Sequence, residues 1–239
     1  MNSLTLFLLT LIVLDVVVTL MVLAQKHKRK SSAKKKLIVF TRYPESGQAK
    51  TRLIPALGAV GAADLQRQMT EHTLRQARQL ITRRAVWLEV RYEGGDQTAM
   101  QHWLGAELTL RPQGGGDLGA RLQWAMQAAF DEEFDRVVVI GTDCPELSVD
   151  ILEEAFRALR NNEVVIGPAA DGGYYLIGLS CPVETLFQDI AWGTETVLAS
   201  TLAKAAEIGI VPFLLPTLND IDRPEDLSHV HFDHHSCVE

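Results

Sequence analysis

The chain has 239 residues, 47% hydrophobic and 22% charged, with three cysteines, which suits one sizeable core and excludes a disordered chain, a collagen-like repeat or a disulfide scaffold. Its formal charge of −7 divides unevenly: residues 1–36 carry seven Lys/Arg and one acid, Asp15, whereas residues 37–239 carry 16 basic and 29 acidic residues. An acidic body of this kind argues against nucleic acid as a partner.

The first predicted element is a membrane span. Residues 4–24 form an apolar run of 21 residues with Asp15 as its one charge, and at 1.5 Å per residue it would cover roughly 30 Å, the hydrocarbon thickness of a bilayer. Its fifteen Leu, Ile, Val and Phe residues favour insertion by roughly 4.5–9 kcal/mol against about 3 for a central Asp. The positive charges follow the run instead of preceding it, so the order fits an uncleaved anchor and not a signal peptide. We therefore expect a single-pass anchor over 1–25, a basic juxtamembrane linker over 26–36 facing anionic lipid, and a catalytic body on the cytoplasmic side of the cell inner membrane. The competing reading takes 1–36 as an extension from a misassigned start, which leaves a soluble cytoplasmic protein.

Beyond the hinge Ser31-Ser32-Ala33, apolar runs alternate with amphipathic stretches, the pattern of βα units with a mostly parallel sheet. Strands are predicted over 37–41, 85–92, 107–111, 136–141, 163–168, 174–179 and 210–215, and helices over 59–82, 98–104, 118–131, 149–160 and 194–208. In open sheets of this class ligands bind outside the carboxyl ends of the strands, so the residues that follow each strand are the candidates for chemistry.

After the first strand comes TRYPESGQAKTRL (41–53), in which Thr41, Arg42, Lys50 and Arg52 stand in a loop that suits a diphosphate. Lys50 is one of two lysines after residue 36. The spacing does not match a P-loop, which needs Gly-x4-Gly-Lys-Ser/Thr. After the third strand, QGGGDLGAR (113–121) offers Gly116, Asp117 and Arg121, where Asp117 reads either as a helix cap or as a contact to base or ribose. The fourth strand delivers Asp143 in VVVIGTDCPEL (137–147), a carboxylate suited to Mg²⁺ or Mn²⁺ bridging a diphosphate, with a plain cap as the alternative. Between two later strands lies ADGGYY (170–175), with Asp171, Gly172, Gly173 and Tyr174. Near the end, LNDIDRPEDL (218–227) puts Asp220 and Asp222 on one side of an extended chain, where either could join Asp143 at a metal or Asp222 could cap the next helix.

These motifs, with DIAWGTETV (189–197), in this order resemble the DUF2064 family of the GT-A, or nucleotide-diphospho-sugar transferase, superfamily, some of whose members are named arsenosugar biosynthesis glycosyltransferases. The resemblance runs over about residues 36–227. It implies a single Rossmann-like GT-A α/β/α domain, here over 37–228, that binds a nucleotide-activated donor, usually with a divalent metal. It further implies that Asp143 holds the metal, that Asp171, Gly172, Gly173 and Tyr174 face the sugar or acceptor, and that Asp222 lies near the metal. Many GT-A enzymes carry Asp-x-Asp where this chain has one aspartate in Thr142-Asp143-Cys144, so the second ligand stays open between Asp171, Asp220 and Asp222. The same departure brings the chain close to molybdenum-cofactor-type and 2-phospholactate-type nucleotidyltransferases.

The expected function is a metal-dependent glycosyltransferase with Mg or Mn as cofactor, a nucleotide-activated sugar as donor and an unspecified acceptor. Asp143 and Asp222 would hold the metal, Arg42, Lys50 and Arg52 the phosphates, and Asp171 would act as base. The alternatives are a nucleotidyltransferase that forms a nucleoside diphosphate product from an NTP, and a nucleotide-sugar binding protein without turnover. Cys144 reads as a packing residue, and Trp192 as either stacked on ligand or packed. The His-rich tail, 229–239, reads as a terminal segment that meets metals adventitiously.

Overall fold

The computed structural model describes residues 33–229; the expected membrane span, most of the basic linker and residues 230–239 of the tail lie outside them. Among the described residues no helix is long and apolar enough to cross a membrane.

Among the described residues seven strands form one sheet: β1 (Lys35–Arg42), β2 (Trp87–Glu93), β3 (Thr109–Pro112), β4 (Arg136–Ile140), β5 (Val164–Pro168), β6 (Tyr174–Leu179) and β7 (Phe213–Leu214). Five helices connect them: α1 (Ile54–Arg83), α2 (Gln97–Leu104), α3 (Leu118–Asp131), α4 (Val149–Ala158) and α5 (Val197–Glu207). The strand order is β3-β2-β1-β4-β6-β5-β7, and β6 alone among the named strands runs antiparallel, to both β4 and β5. The predicted α/β class with a mostly parallel sheet is therefore the observed one.

Alternation along the strands builds both layers of core. In β1, Leu37 and Val39 join one cluster with Leu74, Leu80 and Leu152 from α1 and α4, while Ile38 and Phe40 join the other with Leu122, Met126 and Ala129 from α3. In β4 all five residues are buried, as a central strand covered on both faces requires, and each Val or Ile contributes about 1.5–3 kcal/mol. Along α3 the buried positions Leu122, Ala125, Met126 and Ala129 keep the helical period that marked it in the sequence.

Two boundaries that differ from the sequence-based ranges have a plain physical reason. The helical span of α1 begins at Ile54, but Gly58 (φ 71°) interrupts it, so regular helix starts at the predicted residue 59. At the sheet edge β7 has two paired residues instead of six, because it meets β5 at Val165 and Ile166 alone and both its side chains are exposed. Residues 169–173 form a hairpin turn between β5 and β6, closed by Ala169 N–H to Gly173 O at 3.0 Å.

At the amino ends of the strands, charge is buried. Glu89 and Arg91 are each about 1% exposed, and Glu89 accepts from Arg91 Nε at 2.7 Å and from the Lys36 ammonium at 2.9 Å. The Arg91 guanidinium also lies 4.7 Å from the Trp124 ring centre.

Candidate active site

β1 and β4 are hydrogen-bonded neighbours, yet the chain leaves β1 toward β2 and leaves β4 toward the far half of the sheet. This reversal opens a crevice at their carboxyl ends. Beneath it the backbone is held by a buried polar set: Thr41 Oγ1 lies 2.7 Å from Thr70 Oγ1, and Gln66 donates to Thr70 at 3.1 Å and to Thr142 at 3.4 Å. The Thr41 carbonyl accepts from Gln113 Nε2 at 3.0 Å. Thr41 is thus buried and its hydroxyl already engaged, so it positions the loop.

Above this floor Lys50 is the centre. Its backbone is left-handed (φ 47°, ψ 46°), and its side chain is 4% exposed. The ammonium donates to the Ile221 carbonyl at 2.6 Å and lies 2.9 Å from Asp143 Oδ1 and 4.0 Å from Asp222 Oδ1. Arg52 forms an ion pair with the other oxygen of Asp222. The two loops are joined further by Ile221 N–H to the Asp143 carbonyl at 2.8 Å, and Asp226 accepts from the N–H groups of Asp222 and Arg223. Lys50, Asp143 and Asp222 thus meet from positions up to 172 residues apart.

Asp171 and Asp220 complete the acidic group. Asp171 Oδ1 accepts from Gly173 N–H at 2.8 Å, which leaves Oδ2 without a described partner. Burial raises the Asp220 carboxyl above the usual carboxylate range, and the charges of Asp171, Asp226 and Asp143 act in the same direction. Arg52, Asp143, Asp171, Asp220, Asp222 and Trp192 are among the residues around a cavity of about 270 Å³. Arg52, Asp171, Asp220 and Asp222 also border a second of about 540 Å³, which Thr194 and Glu195 line as well.

The remaining residues singled out from sequence separate into structural and lining roles. Gly172 (φ +89°) needs to be glycine, since a Cβ there would strike the Glu195 backbone, and its carbonyl accepts from Leu198 N–H at 2.9 Å. This ties the hairpin turn to the start of α5. Tyr174 lines the smaller cavity, but its hydroxyl is buried away from solvent and burial raises the phenol pKa. Its ring meets Trp192 edge-on at 6.2 Å. Trp192 also packs on Gly119, where a Cβ would strike the indole, so packing and a place on the cavity wall are combined in one side chain. Cys144 is buried in the core, and burial, then the charges of Asp143 and Asp220, push its thiol pKa up, as suits a packing residue.

Arg42 does not join Lys50 and Arg52 as the sequence suggested. It pairs with Glu93 at 2.6 Å, and Arg121 reaches the same carboxylate at 3.2 Å. Burial works against the charge on Glu93, but hydrogen bonds and charge from Arg42 and Arg121 outweigh it and hold the carboxyl below its usual range. Arg121 also donates to the Gly116 carbonyl at 3.1 Å, and Asp117 caps α3 through Ala120 N–H at 2.9 Å. Glu93 was not anticipated, although the rule that sites follow strands points to it as the last residue of β2.

The donor set can be tested against a divalent cation. Among the described residues no three His, Cys, Asp or Glu side chains are grouped as a metal cage. Mg²⁺ and its analogues often take only one or two carboxylates from protein and complete their shell with water and substrate phosphates. Asp143 and Asp222, which already share the Lys50 ammonium, supply that number of hard oxygen ligands, so the residues fit such an ion.

A family model described as an uncharacterized protein conserved in bacteria, DUF2064, matches residues 68–194, more than half of the chain. The chain belongs to the DUF2064 family. Among solved structures, this DUF2064 chain is 36% identical, with a TM-score of 0.75 over 82% of its length and 85% of the other, to a protein of Desulfovibrio desulfuricans G20 provisionally named a nucleotide-diphospho-sugar transferase. It also matches 4-diphosphocytidyl-2C-methyl-D-erythritol synthase from Anaerococcus prevotii DSM 20548, at 12% identity and TM-score 0.55 over 82% and 94% of the two chains. A third match is the manganese complex of Rv0371C from Mycobacterium tuberculosis H37Rv, at 16% and 0.53 over 82% and 97%. The last two likenesses establish the fold alone. Among curated proteins no match was found.

Proposed function

We propose that this DUF2064 protein is a metal-dependent glycosyltransferase that uses a nucleotide-activated sugar, with its anchor and basic linker holding the domain at the cytoplasmic face of a membrane. The carrying observation is the meeting of Lys50 with Asp143 and Asp222 at the β1/β4 crevice, beside a polar cavity bordered by Asp171. The 36% identical relative's provisional name supports the same class.

In this reading the acceptor oxygen bonds to the anomeric carbon, the bond from that carbon to the diphosphate oxygen breaks, and nucleoside diphosphate departs with the electron pair. Asp171 takes the acceptor proton on its open oxygen. Lys50 and Arg52 hold the departing phosphates in place, and Asp143 and Asp222 hold Mg²⁺ or Mn²⁺, which supplies further charge neutralisation when bound. Arg42 and Arg121, held by Glu93, organise the loops on the β2 side where the rest of the nucleotide would lie.

A second reading, nucleotidyl transfer from an NTP to a phosphorylated metabolite, is favoured by the burial of Lys50. A fixed ammonium against Asp143 suits charge at a reacting phosphorus as well as at a departing diphosphate. Product analysis separates the two. Release of nucleoside diphosphate from a nucleotide sugar, dependent on Mg²⁺ or Mn²⁺ and on an acceptor extract, supports the proposal. Pyrophosphate release from an NTP supports the second reading, and donor binding without either product overturns both.

A further inference from the structure

The amino edge of the sheet, remote from Asp143, has a chemistry of its own. A cavity of about 340 Å³ opens beside the C-terminal ends of α1 and α4, and its charged lining is Lys35, Arg84, Arg157 and Arg160 against one acid, Glu153. Glu153 is already engaged by Arg84 at 2.7 Å and Arg83 at 3.9 Å. Burial, then the charges of Arg136, Arg160 and Arg84, hold the Lys35 ammonium below its usual pKa. Cations crowded in a cleft with little acid to match raise the local positive potential, and an anion that enters is attracted by several of them together.

On the opposite face of the same edge a second cavity of about 330 Å³ is lined by Lys34, Trp87 and Phe134 together with Lys36 and Arg111, which pair with its acids Glu89 and Glu132. Trp87 is 67% exposed and meets Phe134 edge-on at 6.2 Å, while the Lys36 ammonium lies 4.5 Å from the Phe134 ring centre. An exposed indole beside the exposed Lys34 suits the headgroup level of a bilayer, where an amphipathic ring and a long cationic side chain are both satisfied; Lys36 is buried against Glu89 and Glu132 and packs the ring of Phe134 from beneath.

We propose that the amino edge of the sheet is a docking face for anionic phospholipid headgroups, whose phosphates enter the cleft of Lys35, Arg84, Arg157 and Arg160 while Trp87 lies among the headgroups. A free phosphate would match the cleft but leaves the exposed Trp87 unused, whereas a lipid surface engages both faces of the edge. β1 itself opens at this edge with the basic pair Lys35 and Lys36. A domain docked in this way turns the crevice at Asp143 away from the bilayer. The inference concerns the opposite end of the sheet from the proposed transfer chemistry and stands whichever transferase reading holds.

The test reconstitutes the full chain into phosphatidylcholine vesicles with and without phosphatidylglycerol and measures fluorescence quenching by a headgroup-labelled lipid. The Trp87 signal is taken as the difference between wild type and Trp87→Phe. Quenching is expected to be severalfold stronger with phosphatidylglycerol, to fall as salt rises, and to return to the phosphatidylcholine level in Lys35→Gln/Arg157→Gln/Arg160→Gln. Equal quenching in the two vesicles, or wild-type quenching indifferent to salt, overturns the proposal, and neither readout depends on the triple variant folding. A triple variant with wild-type melting and wild-type quenching overturns it too. So does inorganic phosphate that raises the melting temperature of wild type but not of the variant while phosphatidylglycerol leaves quenching unchanged, since the cleft then serves a free anion.

Discussion

At the carboxyl ends of β1 and β4, Asp143 and Asp222 meet the buried Lys50 and the flanking Arg52, with Asp220 on the same cavity wall, whereas at the amino ends of the same strands Lys35, Arg136 and Arg160 crowd together. Both ends belong to one parallel core, so the difference is a property of strand direction and not of separate domains. A formal charge of −7 describes neither end. The carboxyl edge brings acids from two loops onto one cation, an arrangement suited to a phosphate and a divalent ion. The amino edge buries one carboxylate, Glu89, between cations and leaves others facing a cleft.

The largest expected effect breaks the buried side of this comparison. Glu89→Gln removes the carboxylate that Lys36 and Arg91 share, and is expected to cost about 3–5 kcal/mol in urea unfolding because the buried Arg91 loses its ion pair, while Lys36 keeps Glu132. A cost of about 0–1 kcal/mol, typical of exposed pairs, would mean the amino-edge charges are solvated after all. Next in size, Gly172→Ala forces a left-handed backbone and a collision with Glu195, with an expected cost of about 1–3 kcal/mol. It should also weaken donor binding by freeing the turn that carries Asp171, and an unchanged melting temperature would contradict the close approach to α5.

The smallest effect sharpens the carboxyl edge. Glu93 has a folded pKa below its unfolded value, so its contribution is present above the ordinary carboxylate pKa and lost as pH falls through the lowered one. Glu93→Gln should therefore lower stability by about 1 kcal/mol near neutrality and by nothing in strong acid, measured by thermal unfolding across pH. A deficit of the same size at every pH would show that Glu93 acts by shape and not by charge.

The strands and helices were legible because β4 and β5 are apolar throughout and α3 repeats every three to four residues; packing on both faces dictates those patterns. The placement of Asp143, Asp171 and Lys50 at the carboxyl edge was legible because all three follow strands of an open sheet. The split of Arg42 from Lys50 was not, since both follow β1 and only the fold shows that Arg42 turns toward β2. Gln66 and Thr70 were missed because a polar residue within α1 has the local pattern of a solvated face, and its burial against Thr41 and Thr142 is a tertiary fact. The amino-edge cations were invisible for the same reason: Lys35, Arg84 and Arg160 are scattered over 126 residues of sequence and share no local motif.

The claim that the carboxyl edge holds a nucleotide donor together with a divalent ion is tested most directly by the melting temperature of wild type and Asp143→Asn with a nucleotide sugar and Mn²⁺, together and apart. Donor at about a hundred times its Kd should add about 2.7 kcal/mol, the gain should require both components, and Asp143→Asn should show no gain over its own unliganded melting temperature, which falls below that of wild type because the buried Lys50 loses a charge partner. A donor that stabilises equally without Mn²⁺, or an Asp143→Asn chain that keeps the full gain, would contradict the assignment.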